Sequence, residues 1–118
     1  MKKIKELVKA ALSGNKASYQ HISMEKAAEL MKTEKNYRIL DVRTPAEYAD
    51  KHIPGAENLP NETIGRNEIP ALPDKEQMLL VYCRSGNRSR QASAKLAKLG
   101  YTNVLEFGGI INWPGKLE

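Results

Sequence analysis

Met78-Leu79-Leu80-Val81-Tyr82-Cys83-Arg84-Ser85-Gly86-Asn87-Arg88-Ser89 is the stretch that decides the fold. Its first five residues make an unbroken apolar run of strand length. Such a run predicts a strand buried on both faces, as at the centre of a parallel sheet. A polar loop with one glycine follows, from Cys83 to Ser89. Ala92, Ala94, Leu96, Ala97 and Leu99 then recur as an amphipathic helix that Gly100 ends.

Working outward, the same alternation repeats. Tyr37 to Val42 reads as a buried strand, and Thr44-Pro45 opens a short helix. Thr suits the N-cap, Pro the first helical position, and Glu47 completes a capping box. Pro54-Gly55 stops that helix, and Ala56 to Leu59 forms a further short strand. Residues 60–76 carry Pro60, Gly65, Pro70 and Pro73 and read as connection. Ser18 to Ile22 suits a short strand, Ser23 an N-cap, and Ala27, Ala28, Leu30 and Met31 one helix face. Thr102 to Phe107 is a last strand, with Gly108-Gly109 leading into a turn at Ile110 to Trp113. Strands alternating with helices imply a parallel α/β sheet with right-handed crossovers. Ligands bind beyond the carboxyl ends of such strands, where Asp41-Val42-Arg43 and the Cys83 loop both fall.

The loop is built to hold an anion. Backbone amides in a tight loop form an anion cradle, and a helix N-terminus adds partial positive charge. Arg84 and Arg88 add full charges, Ser85, Asn87 and Ser89 add donors, and Gly86 permits a positive φ or close approach. Each of these favours thiolate over thiol. A lone cysteine ending a strand is often a small hydrophobe. Two arginines, a glycine and a helix start within six positions favour the reactive reading here. The Lys-Ser/Thr ending of a Walker motif is missing, which argues against nucleotide binding.

Composition narrows the class. The 118 residues fit one domain, with 41% hydrophobic and 28% charged residues, which is ordinary for a globular chain. Cys83 is the one cysteine, so no disulfide forms within the chain. His21 and His52 have no ligand spacing with it, so neither metal nor cofactor is expected. The net charge of +5 owes part of its excess to Lys2, Lys3, Lys5, Lys9 and Lys16. Ile4, Leu7, Val8, Ala11 and Leu12 form one stripe there, so residues 1–17 are expected as an amphipathic helical extension and 18–118 as the domain. No apolar run spans a bilayer, no signal-peptide core is present, and no nucleic-acid module is recognisable. A cytoplasmic protein without membrane or nucleic-acid partners is the expectation. Leu117-Glu118 carries no functional weight in this reading.

At these residues the chain closely resembles the rhodanese-like sulfurtransferases. Val81 to Ser89 resembles that family's active-site loop. Leu40-Asp41-Val42-Arg43, His52-Ile53-Pro54-Gly55-Ala56-Glu57-Asn58-Leu59-Pro60, and Gly108-Gly109-Ile110 with Trp113 agree in order and spacing. The resemblance covers about residues 18 to 114. It implies a five-stranded, mainly parallel sheet flanked by helices on both faces. It also implies a persulfide on Cys83. The donor would be thiosulfate or another small anionic sulfur compound, and the acceptor cyanide or a thiol such as thioredoxin or glutathione. The amides of Arg84 to Arg88 would hold the persulfide, the Arg84 and Arg88 side chains would position the donor, and Asp41 with Arg43 would brace the loop. His52 is expected to fix a turn, and Trp113 to pack.

Two rivals stand beside this. Phosphatases and arsenate reductases of the fold place five residues between Cys and Arg, whereas four separate Cys83 from Arg88. The shorter ring suits a sulfur atom better than a tetrahedral oxyanion. A persulfide carrier or docking module for a specific protein partner is the second rival. Inactive family members typically lack the cysteine, which this chain keeps.

Overall fold

The computed structural model describes residues 18–118, so the expected N-terminal helix lies outside the described residues. Five strands alternate with three α-helices: β1 (Gln20–His21), α1 (Met24–Thr33), β2 (Tyr37–Asp41), α2 (Pro45–Asp50), β3 (Ala56–Asn58), β4 (Met78–Cys83), α3 (Asn87–Lys98) and β5 (Val104–Gly109). Short 3-10 turns at Asn61–Thr63 and Ile110–Asn112 follow β3 and β5. The sheet order is β1-β5-β4-β2-β3, and every pairing is parallel.

β4 is central and buried at all six positions. Alternate side chains therefore feed two cores. Leu79, Val81 and Cys83 join Ala92 and Leu96 of α3 on one face. Met78, Leu80 and Tyr82 join Ala27 and Leu30 of α1 on the other. Helices thus cover both faces, as expected.

The expected caps form. The Ser23 hydroxyl accepts from the Lys26 amide at 3.0 Å. Thr44 and Glu47 make the full capping box, the Glu47 amide donating to Thr44 Oγ1 and the Thr44 amide to Glu47 Oε1. Several boundaries differ from the sequence pattern, β5 spanning Val104–Gly109 where the pattern places Thr102 to Phe107. The sequence pattern carries the loop to Ser89, but α3 already begins at Asn87, with Gly86 as its N-cap at φ +105°. The first turn of α3 is polar, so apolar periodicity reveals the helix only from Ala92. No helix of the described residues is long and apolar enough to cross a membrane.

Candidate active site

Cys83 closes β4 on the α3 face and is almost wholly buried. The Gly86 amide donates to its Sγ at 3.0 Å. The first backbone bond within α3 runs from the Arg90 amide to the Gly86 carbonyl at 3.2 Å. The amides of Asn87, Arg88 and Ser89 precede it and have no intrahelical acceptor. α1 and α2 have side-chain caps on their first turns, whereas α3 has none. The positive end of α3 is therefore left open beside the sulfur.

Two glycines permit this packing. Gly86 takes the left-handed conformation that turns the chain into α3. Gly109 of β5 passes directly beneath the loop, where a Cβ would stand 2.0 Å from the Arg84 carbonyl oxygen. The Ile111 amide donates to that same oxygen at 3.3 Å.

The expected site residues fall in several places. Arg84, Ser85 and Asn87 are exposed at the mouth. Arg88 donates to both carboxylate oxygens of Glu47, at 2.7 and 3.0 Å. These bonds hold the Glu47 carboxyl down at about 2 and raise Arg88 further. Arg88 therefore ties the start of α3 to the start of α2, and its charge is shared with a carboxylate. Arg90, absent from the sequence expectation, reaches back over Gly86, its Nη1 3.2 Å from where a Cβ would lie. Its signal was available: it stands four residues after Gly86, one turn on along the helix.

Asp41 and Arg43 form a buried ion pair, with Arg43 Nη2 2.6 Å from Asp41 Oδ2. Burial opposes the Arg43 charge, but the hydrogen bonds and field of Asp41 prevail and raise it. The pair belongs to the face opposite Cys83. Tyr82 donates its hydroxyl hydrogen to Asp41 at 2.7 Å, and Arg43 donates to the Lys51 carbonyl at 2.5 Å. Any bracing of the loop passes through Tyr82, the residue before Cys83. Burial pushes the Tyr82 phenol upward, so it stays a donor.

Trp113 packs as expected, and the His52 side chain lies against Tyr48 of α2. The His52 ring stacks on Tyr48 at 3.9 Å, with Nδ1 2.9 Å from the Tyr48 carbonyl oxygen. Its backbone exchanges two 2.8 Å bonds with that of Glu118. Trp113 packs on Phe107 at 5.9 Å. Among the described residues no cluster of His, Cys, Asp and Glu could hold a metal.

Sequence reading missed Glu106. It is fully buried on β5, on the same face as Cys83. Its carboxylate accepts from Ser89 Oγ at 2.6 Å and from the Gly108 amide at 2.9 Å, and it lies 2.6 Å from His21 Nδ1. Ser89 Oγ is also 3.5 Å from Cys83 Sγ.

The chain matches the family described as Rhodanese-like domain over residues 23–115. It is 39% identical to the thiosulfate sulfurtransferase PspE of Escherichia coli strain K12 over 71 residues, covering 60% of this chain and 68% of that protein. It is 41% identical to a sulfurtransferase of Allochromatium vinosum over 95 residues, covering 78% and 85%. A solved structure described as rhodanese with anions from E. coli superposes with a TM-score of 0.63 at 34% identity, covering 70% of this chain and 96% of that one.

Proposed function

The chain belongs to the rhodanese-like domain family, and from that premise we propose that it is a sulfurtransferase carrying a sulfane sulfur on Cys83. The donor is thiosulfate or a related small anion. The acceptor is a thiol or cyanide, with thioredoxin and glutathione the first thiols to try. One observation carries the reading: Cys83 Sγ sits under the uncapped start of α3, held by the Gly86 amide at 3.0 Å. Such a site stabilises a sulfur anion, first the thiolate and then the persulfide.

The chemistry is a two-step covalent transfer. The Cys83 thiolate attacks the outer sulfur of thiosulfate. A new S–S bond forms as the old one breaks, and sulfite leaves with the electron pair. The acceptor thiolate then attacks the outer sulfur of the persulfide, and Cys83 leaves as thiolate. Exposed Arg84 and Arg90 flank the mouth and draw in the anion. Arg88, held by Glu47, sets the position of the α3 terminus. That bidentate pair also counts against a phosphatase, in which the loop arginine has to grip the oxyanion itself.

Incubation with thiosulfate should add one sulfur to the intact mass, and the adduct should be lost in Cys83→Ser. Cyanide should then release thiocyanate. Neither adduct nor thiocyanate from the native protein would refute the reading.

A further inference from the structure

We propose that Cys83 and Glu106 share one proton through the hydroxyl of Ser89, so that Glu106 receives the thiol proton when the sulfur becomes a nucleophile. The inference rests on the reading of Cys83 as the sulfur-carrying nucleophile and adds the group that handles its proton.

The geometry leaves two arrangements. Ser89 Oγ and Glu106 Oε2 are 2.6 Å apart, so a hydrogen lies between them. In the first arrangement Glu106 is a carboxylate and the single Ser89 hydrogen points to it. The Gly86 and Gly108 carbonyls, at 3.0 and 3.4 Å, are weaker competitors for that hydrogen than a charged oxygen. Ser89 then faces Cys83 with a lone pair and accepts the thiol hydrogen over 3.5 Å. In the second arrangement the two hydrogens have shifted together. The thiol proton has moved to Ser89, and the Ser89 proton to Glu106 Oε2. Cys83 is now a thiolate that accepts from Ser89 and from the Gly86 amide.

Nothing else in the network has to change. His21 Nδ1 can donate to Oε1, and the Gly108 amide to the remaining lone pair of Oε2, in both arrangements. A thiolate beside an ionised Glu106 is disfavoured, because Ser89 has one hydrogen for two anions in a buried site. The backbone is shaped for this contact. The register of β5 slips between Val81 and Cys83 of β4, and Gly108 occupies the slip at φ +94°. The slip turns the Gly108 amide onto the Glu106 carboxylate.

The charged groups around the relay are few. His21 on β1 faces Glu106 and is 63% exposed. Arg84 follows Cys83 in the loop, Arg90 reaches over Gly86, and Arg88, whose charge interacts with Cys83, brings Glu47 with it. Asp41 on β2 lies on the opposite face of the sheet.

In the first half-reaction Cys83 passes its proton to Ser89, Ser89 passes its own to Glu106, and the freed sulfur pair attacks the donor. In the second, the Cys83–sulfur bond breaks with its electron pair on Cys83. Ser89 then protonates Cys83 as Glu106 returns its proton to Ser89. Charge and protons balance in both directions.

The test is the pH profile of Cys83 alkylation by iodoacetamide, read on the native protein and on Glu106→Gln and Ser89→Ala. Glutamine fits: its oxygen can take the place of Oε2, and its amide group can donate to His21 in the other ring tautomer. The native rate should level off on the acidic side of the thiol titration, because a proton passed to Glu106 is not exchanged with solvent. Both variants should lose that plateau and fall by about tenfold per pH unit. Removing a negative charge without a relay would instead speed alkylation by Glu106→Gln. A Glu106→Gln that stays faster on the acidic side of the titration, a plateau that survives in both variants, or none in the native protein would overturn the inference. Alkylation needs no sulfur donor, so the two readings separate. A plateau without a thiosulfate adduct sinks the sulfurtransferase reading alone. An adduct without a plateau sinks the shared proton alone.

Discussion

At the scale of single residues, the site depends on which atoms are missing as much as on which are present. Gly109 lacks the Cβ that would stand 2.0 Å from the Arg84 carbonyl oxygen and 2.6 Å from the Ser85 Cα. Backbone on both sides leaves that contact no cheap relief. Gly109→Ala should therefore push the loop off Cys83 and slow sulfur loading on the order of tenfold or more, since small misplacements of reacting groups are costly. Gly65→Ala is the control, because nothing lies within 4 Å of its added Cβ. Equal loading rates in the two variants would show that the loop does not need its present position. Cys83, Arg84, Gly86 and Arg88 were legible as a group because the chain places them within six positions. Glu106 was not, because a lone acidic residue in an apolar strand carries no sign of what it will face.

At the scale of elements, α2 and α3 are fastened to each other at their first turns. Glu47 serves both, as the capping-box partner of Thr44 and as the bidentate acceptor for Arg88. Its pKa falls from 4.5 to about 2 in the folded chain, chiefly through the Arg88 hydrogen bonds. A carboxyl depressed by folding stabilises the native state above its unfolded pKa. That contribution should be intact above about 4.5 and fade as pH falls toward about 2. Acid titration of urea stability should show it, and Glu47→Gln should flatten that limb of the curve. An unchanged limb in the variant would mean that other carboxylates set acid stability. The capping box itself was readable from Thr44-Pro45 and Glu47, since its partners are three residues apart. The second use of Glu47 was not, since Arg88 lies 41 residues on.

At the scale of the whole molecule, β4 is the shared wall of two cores. Leu80 is fully buried in the α1 layer, and its neighbours Leu79 and Val81 are equally buried in the α3 layer. Leu80→Ala should cost about 2–5 kcal/mol, the usual range for emptying a packed leucine site. Because both layers rest on one strand, far-UV and near-UV signals should be lost together in a single transition. Separate midpoints would show that the layers unfold independently. The sequence by itself determined the strand–helix alternation, the parallel sheet, the caps at Ser23 and Thr44, and the placing of Cys83 at a strand end before a helix. These follow from periodicity, cap chemistry and the apolar run at 78–82, all of which act over a few neighbouring residues. Only the tertiary structure decided which face of the sheet each polar side chain took. Strand pleat sent Asp41 to the side of Tyr82, away from Cys83, although Asp41 and Cys83 end neighbouring strands. Parallel register set His21 beside Glu106, 85 residues apart, and the slip at Gly108 turned the Gly108 amide onto that carboxylate. Such contacts depend on register and layer packing, which no local stretch of this chain encodes.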